Sequence, residues 1–179
     1  PMASDNNLPF KDISVLPEIY TTENAVARMI DGLGFRFYWA TEGLRAEDLA
    51  FRPTPESRTS EETIDHIMGL STVILNCILN QPNTRSGEET SPLSFAEKRK
   101  ITLENLWQSR QILSSQTVKA EYLNIIFVRK EGNQNIPLWN LINGPIADGL
   151  WHVGQVVTFR RSTGNPFNPN VSVLSGKVR

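Results

Sequence analysis

The chain has 179 residues, of which 39% are hydrophobic and 21% are charged, and its formal net charge at pH 7 is −1. These values are ordinary for one globular domain, so we predict a single domain over 1–179 with a leader at 1–21 and a tail at 164–179. A net charge of −1 does not give the excess of positive charge on which phosphate neutralisation depends, so no nucleic-acid partner is expected.

Cysteine count and hydropathy bear on location. A single cysteine leaves no intramolecular disulfide, so nothing calls for an oxidising compartment. No apolar run reaches the roughly 18–20 residues that cross a bilayer. The polar start at 1–9 lacks the apolar centre of a signal peptide. We therefore expect a cytoplasmic protein without a membrane partner, with a presequence already removed as the alternative.

The first predicted helix spans about 22–44, where apolar residues recur at steps of three and four. Either Thr21 or Thr22 can cap its start. Gly32 and Gly34 weaken it by about 1 kcal/mol each, which the close approach of a neighbouring helix would offset.

The second predicted helix spans about 60–79 and follows a capping box formed by Thr59 and Glu62. Most of its circumference is apolar, so it is largely buried, and His66 lies beside the apolar arc. Cys77 shares the stripe of His66 but lies about 16 Å further along the helix. That separation is too great for one ion, so Cys77 is predicted to be a core residue.

The middle of the chain combines a loop, a helix and a β segment. A polar loop is predicted at 81–91, and a third helix, opened by a second capping box, at 94–114. The stretch 122–129 is β-branched and aromatic, and turn composition follows at 130–135. This pattern predicts a short strand or hairpin before the last helix.

The last predicted helix spans about 137–163, and Pro145 predicts a kink or a restart within it. Asp148, His152 and Gln155 share one stripe that hydrophobic residues bound at both ends, so the stripe is predicted to face inward. Unpaired polar groups there would each cost a few kcal/mol, so these side chains need partners. The predicted fold is all-α, an up-and-down-type four-helix bundle with a short β insertion before the last helix.

The chain has only two histidines, His66 and His152, and each falls on a predicted helix. Asp148 precedes His152 by four residues, which puts carboxylate and imidazole on one helical face. Two imidazoles and a carboxylate form a suitable ligand set for a divalent metal ion. Two alternatives stay open for His152, a core histidine hydrogen-bonded to Asp148 or Gln155, or a general base in an exposed cleft.

Other polar residues have competing interpretations. Glu62 precedes His66 by four residues and could assist a metal ion, but the helix cap is the favoured role. Arg160 and Arg161 could bind an anion, but cations near a helix C-terminus also complement its dipole, and that role is favoured. For the four tryptophans, packing in a core or an interface is favoured over lining a pocket.

These features resemble the DinB-like superfamily of four-helix bundles, over about residues 22 to 163. In that family a histidine of helix two and a His-x-x-x-His pair of the last helix bind a divalent metal, and a Gly-Gln step follows the pair. Here His66 matches the helix-two histidine, and His152 with Gly154 and Gln155 matches the end of the pair. Asp148 stands where the first histidine is usual, which leaves the identity of the metal open.

The resemblance implies a homodimer and a metal-dependent enzyme, a thiol transferase or a hydrolase, with a small-molecule substrate such as a thiol. His66, Asp148 and His152 would bind zinc, nickel, iron or manganese, and Gln155 and Glu62 are candidates for supporting these ligands from behind. The alternative is a non-catalytic bundle, small-molecule-binding or stress-associated, whose metal site is vestigial.

Overall fold

A computed structural model describes residues 7–84 and 92–179, so 1–6 of the predicted leader and 85–91 of the predicted loop lie outside the described residues. The helices are α1 (Thr22–Thr41), α2 (Ala46–Ala50), α3 (Ser60–Ile78), α4 (Phe95–Ser114), α5 (Leu138–Leu141) and α6 (Ala147–Ser162). A 3-10 turn covers Ala120–Tyr122, and a π-helical turn covers Ile142–Ile146. The strands are β1 (Pro82–Asn83), β2 (Asn124–Arg129), β3 (Gly132–Pro137), β4 (Val171–Ser172) and β5 (Lys177–Val178).

The prediction of an all-α fold is wrong, because two small sheets accompany the helices. In the larger sheet β1 pairs parallel to β2, with Pro82 opposite Ile126, and β3 pairs antiparallel to β2. The β2–β3 hairpin lies where the β insertion was predicted, but β3 occupies residues that were assigned to a turn. The antiparallel pair β4–β5 lies in the tail. Strands of two residues are too short to show a period, so β1, β4 and β5 could not be recognised from the sequence.

The up-and-down order of helices is also wrong, because α3 and α4 run in the same direction. Lys98, near the start of α4, donates to Glu61, near the start of α3, at 2.9 Å. Further along both helices, Asn105 donates to Ser71 at 3.2 Å. The long connection between these helices explains the difference, because at about 3.3 Å per residue it can run back past the whole of α3.

Helix starts follow the capping signals of the sequence. The side chain of Thr59 accepts a hydrogen bond from the N–H of Glu62 at 3.1 Å, and the Glu62 carboxylate accepts one from the N–H of Thr59 at 2.7 Å. Ser94 and Glu97 form the same reciprocal pair at the start of α4, and Thr21 caps α1. These bonds satisfy N–H groups that a helix start leaves unpaired.

The leader and the tail both pack on the helices. Phe10 is only 2% exposed, and a Cβ added at Gly34 would come within 2.6 Å of its ring. The space at Gly34 therefore admits an aromatic ring of the leader, and not a neighbouring helix as predicted. The N–H of Ile13 donates to the carbonyl of Gly176 at 2.7 Å, which joins the leader to the tail.

The predicted last helix is a continuous helical path in three parts, α5, the π-helical turn and α6. Pro145 lies inside the π-helical turn, where the N–H of Ala147 donates to the carbonyl of Ile142, five residues earlier. The wider turn tolerates a residue that lacks an N–H and whose ring would crowd an ordinary α-helical turn. The helical path therefore continues past Pro145 and carries Asp148 to the side of α3.

Apolar side chains of the four long helices form the core. Its completely enclosed members include Ile30 and Phe35 of α1, Ile64 and Ile74 of α3, Leu103 and Leu106 of α4 and Val156 of α6. None of the helices within 7–84 and 92–179 combines the length and the apolar character that a bilayer crossing requires.

Candidate metal centre

His66, Asp148 and His152 come together where α3 packs against α6. Nε2 of His66 lies 3.1 Å from Oδ2 of Asp148, and Nε2 of His152 lies 3.3 Å from Oδ1 of the same carboxylate. The planes of the two imidazole rings are nearly perpendicular, at an angle of 87°, and the ring centres are 4.6 Å apart. One ligand atom of each residue lies within 4.8 Å of the others, so this group could hold a metal ion.

Helix geometry explains why these side chains meet. Residues four apart lie one above the other on a helix, so Asp148 and His152 share a face of α6. His66 is flanked on α3 by Ile64 and Ile67, which are both buried in the core. The side chains of His66, Asp148 and His152 are 33%, 42% and 15% exposed, so the centre lies at the edge of the core and is open to solvent.

Gln155 determines which nitrogen of His152 carries a proton. Nδ1 of His152 lies 2.7 Å from Oε1 of Gln155. A carbonyl oxygen can only accept a hydrogen bond, so Nδ1 carries the proton and donates it. In a neutral imidazole, Nε2 then has a lone pair, and this lone pair is opposite a carboxylate oxygen of Asp148. Two acceptors at 3.3 Å repel each other, so a proton or a cation between them would stabilise the centre.

The distances can be compared with those around a tetrahedral ion. Bonds of about 2.0–2.1 Å place neighbouring ligand atoms roughly 3.3 Å apart. The two separations that involve Asp148, 3.1 and 3.3 Å, are close to this value. These two contacts end on different oxygens of the carboxylate, and one ligand atom per residue is within 4.8 Å of the others, so the most distant ligand atoms would have to move closer by on the order of 1 Å to share one ion. Half-buried side chains can make such a movement.

Two residues that were considered for the site lie elsewhere. Oε2 of Glu62 accepts from the N–H of Thr59 and lies 3.8 Å from Nη2 of Arg52. The hydrogen bond from Thr59 lowers the pKa of Glu62, which is engaged in the helix cap and not in supporting His66. Cys77 is fully buried, and burial raises the pKa of its thiol to about 12, as expected for a core cysteine.

An ion pair beside the centre was missed. Lys98 of α4 is nearly buried and contacts Asp65 at 2.8 Å and Glu61 at 2.9 Å, both on α3. Burial alone would lower the pKa of Lys98, but its hydrogen bonds to these two carboxylates raise it above the ordinary value. Asp65, the residue next to His66 in the sequence, is therefore engaged with Lys98. Glu61 and Asp65 are four residues apart, so the sequence indicates that they share one face of α3. Only the packing of α4 against this face shows that Lys98 is their partner.

The two arginines at the end of α6 have separate environments. Arg160 is buried and donates to the carbonyls of Trp39 and Ala40 at 3.2 and 2.9 Å, so it satisfies carbonyl groups at the end of α1. Arg161 is exposed, and its guanidinium lies 5.7 Å from the centre of the Phe167 ring. An anion-binding role for the adjacent pair is therefore incompatible with the position of Arg160.

Comparisons with known proteins leave the family open. No protein-family model matches the chain, and neither the curated proteins nor the solved structures give a match. The resemblance to the DinB-like superfamily therefore stays a prediction from a few residues and their spacing.

Proposed function

We propose that this protein is a divalent-metal-dependent enzyme of the DinB-like type, with His66, Asp148 and His152 as its metal ligands. The observation that carries the proposal is the convergence of both histidines of the chain on one carboxylate. The lone pair of His152 that is opposite Asp148 is compatible with it, because a metal cation, like a proton, removes the repulsion between them. Imidazole and carboxylate ligands suit zinc, nickel, iron and manganese.

The chemistry follows from the ligand count. A bound ion would act as a Lewis acid, or would lower the pKa of a bound water or thiol. Three protein ligands leave at least one position open for such a group. The carboxylate of Asp148 is 42% exposed, so a small-molecule substrate can reach this side from solvent. If the group bound to the ion is a thiol, the enzyme would be a thiol transferase. If the bound group is water, the enzyme would be a hydrolase.

The first test is metal binding. Protein purified without chelators should contain one divalent ion per chain by elemental analysis, and metal-free protein should bind added ion at one site. Asp148→Ala and His66→Ala should weaken binding severely, because two protein ligands hold an ion poorly. Asp148→His should retain binding, because it supplies a third imidazole. Glu104→Ala, which removes an exposed acid of α4, is the control.

Two outcomes would favour the non-catalytic alternative. If the parent binds none of the four ions, the three residues form a polar cluster that shares protons. If it binds metal but the loaded protein neither hydrolyses test esters and amides nor transfers thiols, the centre is vestigial. Circular dichroism of each variant shows whether the helices are intact.

We also propose a homodimer. Trp139 and Trp151 on the last helical path are 76% and 73% exposed, and exposed aromatic side chains are enriched in protein interfaces. Light scattering at micromolar concentration should give twice the chain mass of 20.2 kDa. Trp151→Ser should shift the equilibrium towards the monomer. A parent protein that is monomeric at high concentration would contradict the proposal.

A further inference from the structure

A cavity of about 270 Å³ lies on the other side of α6 from the candidate metal centre, between α6, α1 and the tail. Leu150, Val157 and Arg161 line it. At 100° per residue these positions are about 180° around the helix from Asp148 and His152. A ligand in this cavity would therefore not contact the metal centre, and the two sites can be tested separately.

The charges around this cavity are of one sign. Arg36 of α1 and Arg161 of α6 both line it, and the described lining contains no acidic residue. Arg36 donates to the carbonyl of Gly32 within its own helix at 3.0 Å, and Arg161 lies over the ring of Phe167. Within 7–84 and 92–179 neither guanidinium forms an ion pair with a carboxylate. Each arginine has five N–H donors, so both retain donors for an anion.

The rest of the cavity wall is mainly apolar. Trp39, Val153 and Phe167 are among the side chains that form it. Gly154 also lines the cavity, and a Cβ added there would meet no atom within 4 Å. Glycine is less favourable than alanine in the interior of a helix. Here the absence of a side chain leaves open space at the cavity wall.

We propose that this cavity binds a free carboxylic acid with a short apolar chain, whose carboxylate lies between Arg36 and Arg161 and whose chain packs on the apolar wall. The planar guanidinium group matches a carboxylate with two parallel hydrogen bonds. A volume of about 270 Å³ is just below the range of roughly 300–1,000 Å³ that is usual for ligand cavities. A short chain therefore fits this cavity better than a long one.

Titration calorimetry with octanoate tests the charge requirement. The parent protein should bind one octanoate, whereas 1-octanol and octylamine, which keep the chain but lack the negative charge, should bind at least tenfold more weakly. The double variant Arg36→Gln/Arg161→Gln should also lose at least tenfold in octanoate affinity. Arg58→Gln, an exposed arginine outside the cavity, is the matched control and should bind as the parent does.

A second variant tests the location without removing charge. Gly154→Leu has room for its Cβ, should keep the helix, and should fill the cavity and abolish octanoate binding. The proposal is overturned if the parent does not bind octanoate, or if the double variant or Gly154→Leu binds it as the parent does. Binding to anionic lipid vesicles without binding to octanoate would also overturn it, in favour of a membrane surface.

Discussion

Replacing Gln155 with alanine tests whether this residue orients His152 as a metal ligand. Oε1 of Gln155 accepts the hydrogen bond from Nδ1 of His152 at 2.7 Å, and alanine removes this acceptor. The imidazole would then lose both its fixed orientation and the preference for a lone pair on Nε2. We therefore expect the Gln155→Ala variant to fold normally and to bind zinc more weakly.

The size of the effect follows from the geometry. Loss of a residue that supports a metal-bound histidine costs about 10- to 100-fold in metal affinity, or about 1.4–2.7 kcal/mol. The side chain of His152 is 15% exposed, so water can partly replace the lost acceptor. We therefore expect a loss near the lower limit, about tenfold. Gln155→Glu should bind at least as tightly as the parent, because a carboxylate accepts the same hydrogen bond more strongly.

Competition between the protein and a chromogenic zinc chelator at pH 7.5 measures these affinities. Gln108→Ala is the matched control, because Gln108 is exposed on α4. Circular dichroism and urea unfolding would show whether Gln155→Ala is folded. An affinity of Gln155→Ala within twofold of the parent would refute the orienting role, even if the metal site itself is correct.

Substitutions at three further positions test the packing of the fold. Gly34→Ala should destabilise the protein by about 1–3 kcal/mol in urea unfolding, because its Cβ would come within 2.6 Å of the Phe10 ring. Gly69→Ala, whose Cβ would meet nothing within 4 Å, should instead stabilise α3 by up to about 1 kcal/mol, and equal effects at both glycines would contradict this explanation. Asp48→Ala should cost about 3–5 kcal/mol, because the buried carboxylate accepts hydrogen bonds from Arg45 and from two residues that follow α6. Burial alone would raise the pKa of Asp48, but these hydrogen bonds lower it well below its ordinary value, so this stabilisation should be complete above about pH 4 and should be lost as the pH falls through the folded-state pKa. Unfolding of the parent and of Asp48→Asn across this pH range would show it, and parallel pH curves would count against it.

The parts of the fold that could be predicted from the sequence depend on local interactions. Thr59 with Glu62 and Ser94 with Glu97 mark the starts of α3 and α4, because a capping box needs only neighbours along the chain. The apolar period within α1 is likewise local. The four long helical stretches were therefore predicted close to their observed ranges, whereas the short α2 and the fold class were not.

The wrong parts depend on contacts between distant segments. The parallel direction of α3 and α4 is set by pairs such as Lys98 with Glu61, which are far apart in sequence. Strand β1 exists only because Pro82 and Asn83 meet β2, and Phe10 is buried only because Gly34 leaves space for it. Neither the pairing of β1 with β2 nor the burial of Phe10 produces a periodic pattern in the sequence.

The candidate site shows the same division between local and distant information. The face shared by Asp148 and His152 follows from helical spacing alone, and the hydrogen bond to Gln155 was an available alternative because it is one turn away. The approach of His66 to the opposite oxygen of Asp148 required the packing of α3 on α6. Spacing within one helix could not predict that distance.

The position of polar residues on α6 explains why this helix lacks one simple apolar stripe. Asp148 and His152 face α3, while Arg161 and the open position at Gly154 lie on the other side, at the cavity. A helix that only filled the core would have polar side chains on its solvent face alone. Here the contact with α1 lies between the two polar regions and is strengthened by the hydrogen bonds of Arg160 to the end of α1. The metal centre and the cavity therefore lie on separate faces of a helix that α1 holds in place. For this reason, substitutions at the metal centre should leave octanoate binding unchanged, and substitutions at the cavity should leave metal binding unchanged.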